Sequence, residues 1–149
     1  MTDTQLAAST SAPLYGYLSE EYWPLSAMKL QKLVYYAQAW SLVWEDRPLF
    51  RARIEAWANG PVTPELCRHH RGTFQVAAWP LGNPGNLAKE ERTTVDAIVK
   101  FYGDRSPQWL SDLTHMETPW IEARRGLGPS EAGTNEITLA SMAEYYGSL

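Results

Sequence analysis

The longest regular pattern of apolar residues runs from Ser26 to Glu45. It contains no Gly or Pro, and its main apolar residues recur three or four positions apart, which places them on one helical face. They are Leu30, Leu33, Val34, Ala37, Trp40 and Trp44. Further apolar residues widen this face around most of the circumference, as in a buried helix or a membrane span. The continuous apolar part is too short to cross a bilayer. We therefore predict a buried central helix over 26–45.

Two lysines interrupt the start of this helix. If Ser26 is the N-cap, Lys29 lies in the first turn and Lys32 one turn later, where the helix dipole favours anions. In the simpler interpretation both are solvated, with their stems covering the core. In the alternative, one of them pairs with an acidic residue such as Glu55, or with a partner protein.

The remaining segments predict a mainly α fold. Pro, Gly and Thr residues divide the chain at the positions where helices usually begin or end. The elements expected are a short helix around 14–18, a strand near 53–58, a turn at 59–61, a helix over 63–72, a second strand within 73–79, and helices at 89–102, 107–115, 119–125 and 139–146. We predict a compact single domain of about six helices around the central helix, with two or three short β-strands. Residues 1–12 are expected to form a disordered tail, and residues 13–149 the folded domain.

Composition narrows the functional classes. The 149 residues carry a net charge of −4 and have no basic run longer than two Arg, which argues against nucleic-acid binding. Cys67 is the only cysteine, and the N-terminal residues show no signal peptide, so we expect a cytoplasmic protein without membrane association. Seven Trp and eight Tyr suit both cores and protein interfaces.

His115 and Glu117 are the strongest candidates for chemistry. They lie between two predicted helices, where a buried His–Glu hydrogen bond above Trp120 would lock a sharp corner. The alternative is an acid–base or metal pair in a small hydrolase. Zinc would need a third ligand from Cys67, His69 or His70, and their spacing matches no common site. We favour the structural role and predict no metal and no cofactor.

Aromatic and basic residues outside the core suggest a binding surface. Helices cannot easily bury seven Trp, so we expect at least one to be exposed, with Trp23, Trp79 and Trp109 as the candidates. Four arginines would either converge into a positive patch or balance Glu55 and Glu65. They are Arg51, Arg53, Arg68 and Arg71.

Several motifs, in this order, resemble the Panacea domain, also called the SocA-like or GepA-like antitoxin domain. They are Lys29-Leu30-Gln31-Lys32-Leu33, Tyr35-Tyr36-Ala37-Gln38-Ala39-Trp40, Pro48-Leu49-Phe50, Glu55-Ala56-Trp57, Gly60-Pro61-Val62, Pro64-Glu65-Leu66, Leu113-Thr114-His115, Glu117, Pro119-Trp120 and Tyr145-Tyr146. The resemblance covers roughly residues 15–146. One departure is Leu66-Cys67, where many relatives have Leu-Tyr.

The resemblance implies an antitoxin of a bacterial or phage toxin–antitoxin pair that binds a toxin encoded nearby. One family member instead delivers its toxin to a Clp protease, which makes a proteolytic adaptor the first alternative. A small hydrolase using His115 and Glu117 and a DNA-binding autoregulator remain the others. The family supplies no catalytic site to transfer.

We therefore divide the notable residues into two groups. The expected scaffold residues are Leu30, Gln31, Leu33, Trp40, Glu55, Trp57, Gly60, Pro61, His115, Glu117, Pro119 and Trp120. The expected toxin-binding residues are Lys29, Lys32, Tyr36, Arg51, Arg53, Arg68, Arg71, Trp79 and Trp109.

Overall fold

A single long helix organises the fold. The structure is a computed structural model that describes residues 11–22, 24–76 and 82–149. Its central helix spans Ala27–Trp44, and the Ser26 hydroxyl caps it by accepting a 3.1 Å hydrogen bond from the Lys29 amide. The helix ends just before Asp46, whose φ of 56° is left-handed, two residues ahead of Pro48.

The described residues form seven α-helices and one two-stranded sheet. We number them in chain order. They are α1 (Ala12–Glu21), α2 (Ala27–Trp44), β1 (Glu55–Trp57), β2 (Gly60–Val62), α3 (Pro64–His70), α4 (Lys89–Tyr102), α5 (Pro107–Thr114), α6 (Thr118–Ala123) and α7 (Leu139–Gly147). The predicted mainly α single domain is confirmed.

Helix α2 forms the centre of the core. It packs against α1, α4, α5, α7 and β2. Leu30, Leu33 and Val34 are fully buried, as the apolar pattern predicts. Trp44 differs, since it is 50% exposed and stacks on Trp40 with the ring centroids 5.4 Å apart. It lies in the last turn, where the helix extends beyond the elements that cover it.

The β-hairpin corrects one sequence prediction. Strands β1 and β2 are antiparallel, with Ala56 opposite Pro61. The Ala56 amide points away from β2 and donates to the Asn135 carbonyl at 2.8 Å, so Pro61 can occupy a strand position without breaking a ladder hydrogen bond. The predicted turn at 59–61 is therefore shorter, and Gly60 and Pro61 belong to the second strand.

The predicted strand within 73–79 is only partly described. Gln75 forms an isolated antiparallel bridge with Ser26, and no strand is assigned within 73–76. Residues 77–81, including Trp79, lie outside the described residues, as do residues 1–10 and Trp23. The predicted tail thus stays a prediction for residues 1–10, whereas Ser11 and Ala12 are buried at the start of α1. Among the described helices, none combines the length and apolarity required to cross a membrane.

Two buried glutamines attach loops to α2. The Gln38 side chain accepts from the Leu49 amide at 2.7 Å and donates to the Phe50 carbonyl at 2.6 Å. Gln31 accepts from the Thr63 amide at 2.8 Å, just where β2 leads into α3. These bonds satisfy buried backbone groups that have no secondary-structure partner. They also fix the position of the hairpin and α3 beside the N-terminal half of α2.

Candidate protein-binding groove

A groove of about 710 Å³ lies where the start of α2 faces the hairpin and the end of α3. Residues 71–74, Ser130 and residues 132–134 complete its walls. We call it the α2–hairpin groove. Its volume lies within the range of specific binding pockets.

Large apolar side chains are exposed along the groove. Phe74 is 80% exposed and Met28 is also exposed, and both line the groove together with half-buried Trp57. Exposed aromatic and Met side chains are enriched at protein interfaces. Sequence reasoning missed Met28 and Phe74 as surface candidates, because neither belongs to a polar or aromatic motif.

Lys32 lines the same groove but is only 2% exposed. Its Nζ donates to the Pro61 carbonyl at 3.4 Å, and no acidic residue in the described chain forms an ion pair with it. Burial lowers the pKa of this ammonium to about 8, because removal from water disfavours the charged form. The groove therefore has a weakly satisfied cation in its wall.

The structure excludes two of the roles considered for Lys32, and its pairing with a partner protein stays a prediction. Lys32 is not solvated, and Glu55 is bonded elsewhere, to Arg53 at 2.9 Å and to the Trp57 indole at 2.9 Å. The available signal was its position, since three of the four residues that lie three or four positions away on the helix are Met28, Tyr35 and Tyr36, and only Lys29 is charged. A lysine surrounded by such neighbours belongs to the apolar face.

Gly60 makes room for the end of Lys32. Its φ is +123°, and a Cβ at this position would lie 2.8 Å from Lys32 Cε and 3.2 Å from Thr114 Oγ1. The glycine thus serves both the backbone conformation and the close approach of the lysine.

The described lining of the groove contains cations but no Asp or Glu. Arg71 is exposed at its edge. His70 also lines it and accepts from the Gln31 amide at 2.9 Å, consistent with a pKa that burial lowers. The local charge is therefore positive, although the whole chain has a net charge of −4.

The other expected toxin-binding residues are not brought together in the groove. Tyr36 is fully buried, so we correct its assignment and place it in the scaffold. Arg53 forms ion pairs with Glu55 and Glu136, which agrees with the balancing role considered above. The exposed Arg51 and Arg68 and the half-buried Lys29 do not line the groove.

Trp109 lies elsewhere on the surface. It is 42% exposed, as predicted, and the Arg105 guanidinium lies 4.7 Å from the centroid of its ring. It does not line the groove. Trp79, the remaining candidate, lies outside the described residues.

Glu117 belongs to a buried tyrosine network. Its Oε1 accepts from the Tyr36 hydroxyl at 2.6 Å and from the Tyr146 hydroxyl at 2.8 Å. Desolvation raises the pKa of this carboxyl, while the two tyrosine hydroxyls act in the opposite direction. Tyr146 also bonds to the Tyr35 hydroxyl at 3.0 Å, so the network joins α2 and α7.

His115 has a different role from the predicted one. It stacks on Trp120 at 4.0 Å between centroids, and Trp120 in turn donates to the Trp57 carbonyl at 2.8 Å. Glu117 is hydrogen-bonded to Tyr36 and Tyr146 and not, as predicted, to His115. The predicted packing of this corner on Trp120 is present, through the ring of His115. Neither His115 nor Glu117 lines the groove. In the described part of the chain, no three His, Cys, Asp or Glu side chains are arranged to hold a metal ion.

Comparison with known proteins identifies the family. The model of the family "Antitoxin SocA-like, Panacea domain" matches residues 30–121, more than half of the chain. The chain belongs to this family. It is also similar to Antitoxin SocA of Caulobacter vibrioides, with 47% identity over 45 residues, which covers 30% of this chain and 24% of that protein. The match thus spans about a quarter of the length of that relative. No solved structure matches the chain.

The matched region includes much of the α2–hairpin groove. Lys32, Trp57 and Phe74 lie within residues 30–121, and so do the hairpin and α3. Met28, Ser130 and residues 132–134 lie outside the match. The SocA-like, Panacea domain of this chain therefore includes the Lys32 wall of the groove, but not the whole of its lining.

Proposed function

We propose that this protein is an antitoxin that neutralises a protein toxin by binding it directly, with the α2–hairpin groove as part of the contact surface. Membership of the SocA-like antitoxin family carries the proposal. The toxin would be encoded beside this chain, as is usual for such pairs and as the resemblance of the motifs implies.

The chemistry of the groove supports this choice of surface. It combines exposed Phe74 and Met28 with half-buried Trp57, in a recess fixed by the Gln31 hydrogen bonds. A small number of aromatic anchors on a rigid support can supply most of the free energy of a protein complex. Catalysis would instead need convergent reactive groups, and His115 and Glu117 bond to different partners.

Co-expression with the adjacent gene tests the function. The adjacent product alone should arrest growth, and this chain should restore growth and co-purify with it as a stable complex. A harmless neighbour, or a toxic one that never associates with this chain, would contradict the proposal.

Two exposed phenylalanines test the surface. Phe74→Ser should weaken the complex by about tenfold or more, because Phe74 lines the groove and is 80% exposed. Phe101→Ser is the matched control, since Phe101 is 72% exposed on α4 and does not line the groove. Calorimetric titration of each variant measures the effect. Equal affinities for the two variants would place the toxin elsewhere on the surface.

The same co-expression experiment, repeated in a host without Clp proteases, distinguishes direct neutralisation from proteolytic delivery. If binding alone neutralises the toxin, rescue of growth persists in a host that lacks Clp proteases, and the toxin accumulates in the complex. If rescue requires Clp and the toxin disappears in its presence, delivery to the protease is the function.

A further inference from the structure

The buried cation of the α2–hairpin groove has no partner of opposite charge among the described residues. An ammonium group has three N–H donors. Within the described residues, that of Lys32 forms one long hydrogen bond, to the Pro61 carbonyl at 3.4 Å, and no ion pair. Buried charges in proteins are usually paired, since an unpaired one loses its hydration without compensation.

We propose that Lys32 is the recognition site for a carboxylate of the bound partner, supplied by an Asp or Glu side chain within an apolar segment that occupies the groove. The proposal rests on the proposed function in one respect, namely that the partner is the neutralised toxin. The occupant is identified by its chemistry. It carries one acidic side chain for Lys32 and flanking apolar side chains for Met28 and Phe74.

Charge complementarity favours this occupant. The described lining contains Lys32 and Arg71 but no Asp or Glu, so a carboxylate in the groove would meet two basic side chains and no acidic lining residue. The pair would be desolvated, because Lys32 is almost fully buried, and such pairs contribute strongly to the lifetime of a complex.

An Asp or Glu side chain within the partner's chain accounts for more features of the groove than the partner's C-terminal carboxylate does. The groove of about 710 Å³ has exposed apolar residues as well as the buried cation. Residues on both sides of an internal Asp or Glu can cover Met28 and Phe74 while the carboxylate reaches Lys32. We therefore infer that the carboxylate comes from an internal Asp or Glu side chain of the partner.

Small probes test the carboxylate site without the toxin. Sodium hexanoate, hexan-1-ol and hexylamine share an apolar chain and differ in the charge of the terminal group. In nuclear magnetic resonance titrations of the full chain, hexanoate should shift groove amides saturably and bind about tenfold or more tightly than hexanol. Hexylamine should bind more weakly than either. Equal binding of hexanoate and hexanol, or shifts confined to other surfaces, would overturn the carboxylate site.

Variants test the site in the complex. Lys32→Met retains the length of the side chain and removes its charge, and it should weaken association with the adjacent gene product by about thirtyfold or more. Lys29→Met is the control, one turn earlier on α2 and outside the groove lining. The melting temperature of Lys32→Met should equal or exceed that of the wild type, which separates lost recognition from lost folding. Full affinity in Lys32→Met would refute the inference, although the antitoxin function could stand.

Two further outcomes separate the two proposals. If the adjacent product does not bind the wild-type chain, the proposed function fails, and the hexanoate titration still decides whether the carboxylate site exists. If the complex forms, Asp→Asn and Glu→Gln scanning of the toxin should find one position whose loss removes the dependence on Lys32. Dependence only on the toxin's terminal carboxylate would contradict the side-chain source.

Discussion

The buried charge of Lys32 lowers the folding stability by an amount that depends on pH. Its pKa is lowered from 10.5 to about 8 by burial, so the unfolded state binds its proton more tightly than the folded state does. Below about pH 8 the ammonium is charged in both states, and the full cost of burying it opposes folding. Between pH 8 and 10.5 the folded state loses this proton first, so the stability contributed at this site rises with pH.

Lys32→Met should therefore be more stable than the wild type at neutral pH, by roughly 3 kcal/mol, the equivalent of the pKa shift. This advantage should shrink as the pH rises from 8 towards 10.5. Urea unfolding of both proteins across this range measures the difference. Comparing the two cancels the titration of the tyrosines. Lys32 helps to lower the pKa of His115, so the titration of His115 differs between the two proteins, but it takes place below pH 6.5, outside the range measured. A difference that stays constant with pH would contradict the buried, titrating ammonium.

Glu117 shows the limit of sequence reasoning at this scale. Its place at a helix junction was visible in the sequence, and so was the preference for a structural role. Its partners were not, because Tyr36 lies 81 residues before it in the chain and Tyr146 lies 29 residues after it. Local pattern can identify a buried polar residue, but the partner that satisfies it is determined by how distant helices pack.

At the scale of elements, the helices were predicted more closely than the strands. Helix α2 was predicted within one residue at each end, because eighteen residues repeat the helical period several times. The strands have three residues each, too few for an alternating pattern to be distinguished from a loop. The sequence Asn59-Gly60-Pro61 also has the composition of a turn, and only the outward direction of the Ala56 amide explains how Pro61 fits in β2.

The close packing of Gly60 in β2 against Lys32 in α2 leads to a prediction about stability. Gly60→Ala should destabilise the fold by about 1–3 kcal/mol from backbone strain, and by more where the new methyl group meets Lys32. Gly72→Ala is the control, because Gly72 also has a positive φ, 79°, but has no atom within 4 Å of an added Cβ. We expect the larger loss of unfolding free energy for Gly60→Ala, measured by urea denaturation.

A double-mutant cycle isolates the part of this destabilisation that comes from steric contact between the new methyl group and Lys32. In a Lys32→Ala background, Gly60→Ala should cost less than in the wild type, since the methyl group no longer meets Lys32 Cε at 2.8 Å. An identical cost in both backgrounds would show that the lysine does not pack against the hairpin.

At the scale of the whole molecule, the distribution of charge is more informative than its sum. The net charge of −4 argued against nucleic acid, but it gave no indication of a binding surface. Folding places Lys32 and Arg71 in a groove whose described lining has no acidic residue, while Arg53 is paired with Glu55 and Glu136. Of the four arginines at positions 51, 53, 68 and 71, only Arg53 forms an ion pair within the part of the chain that the structure describes, a division that depends on tertiary structure.

The N-terminal boundary of the folded domain provides a last prediction. The sequence favours a tail over residues 1–12, yet Ser11 and Ala12 are buried, and Ser11 donates to Glu65 through its amide at 2.9 Å and its hydroxyl at 2.7 Å. Because the sequence predicts a tail for residues 1–10, removing them should change the melting temperature little. Removing residues 1–13 should lower it by roughly 5–10 °C, because two hydrogen bonds to a carboxylate and the buried start of α1 are lost. Calorimetric melting of both truncated proteins beside the full chain measures this. Equal melting temperatures for the two would show that α1 needs no anchor on α3, and a large loss on removing residues 1–10 would show that the expected tail contributes to folding.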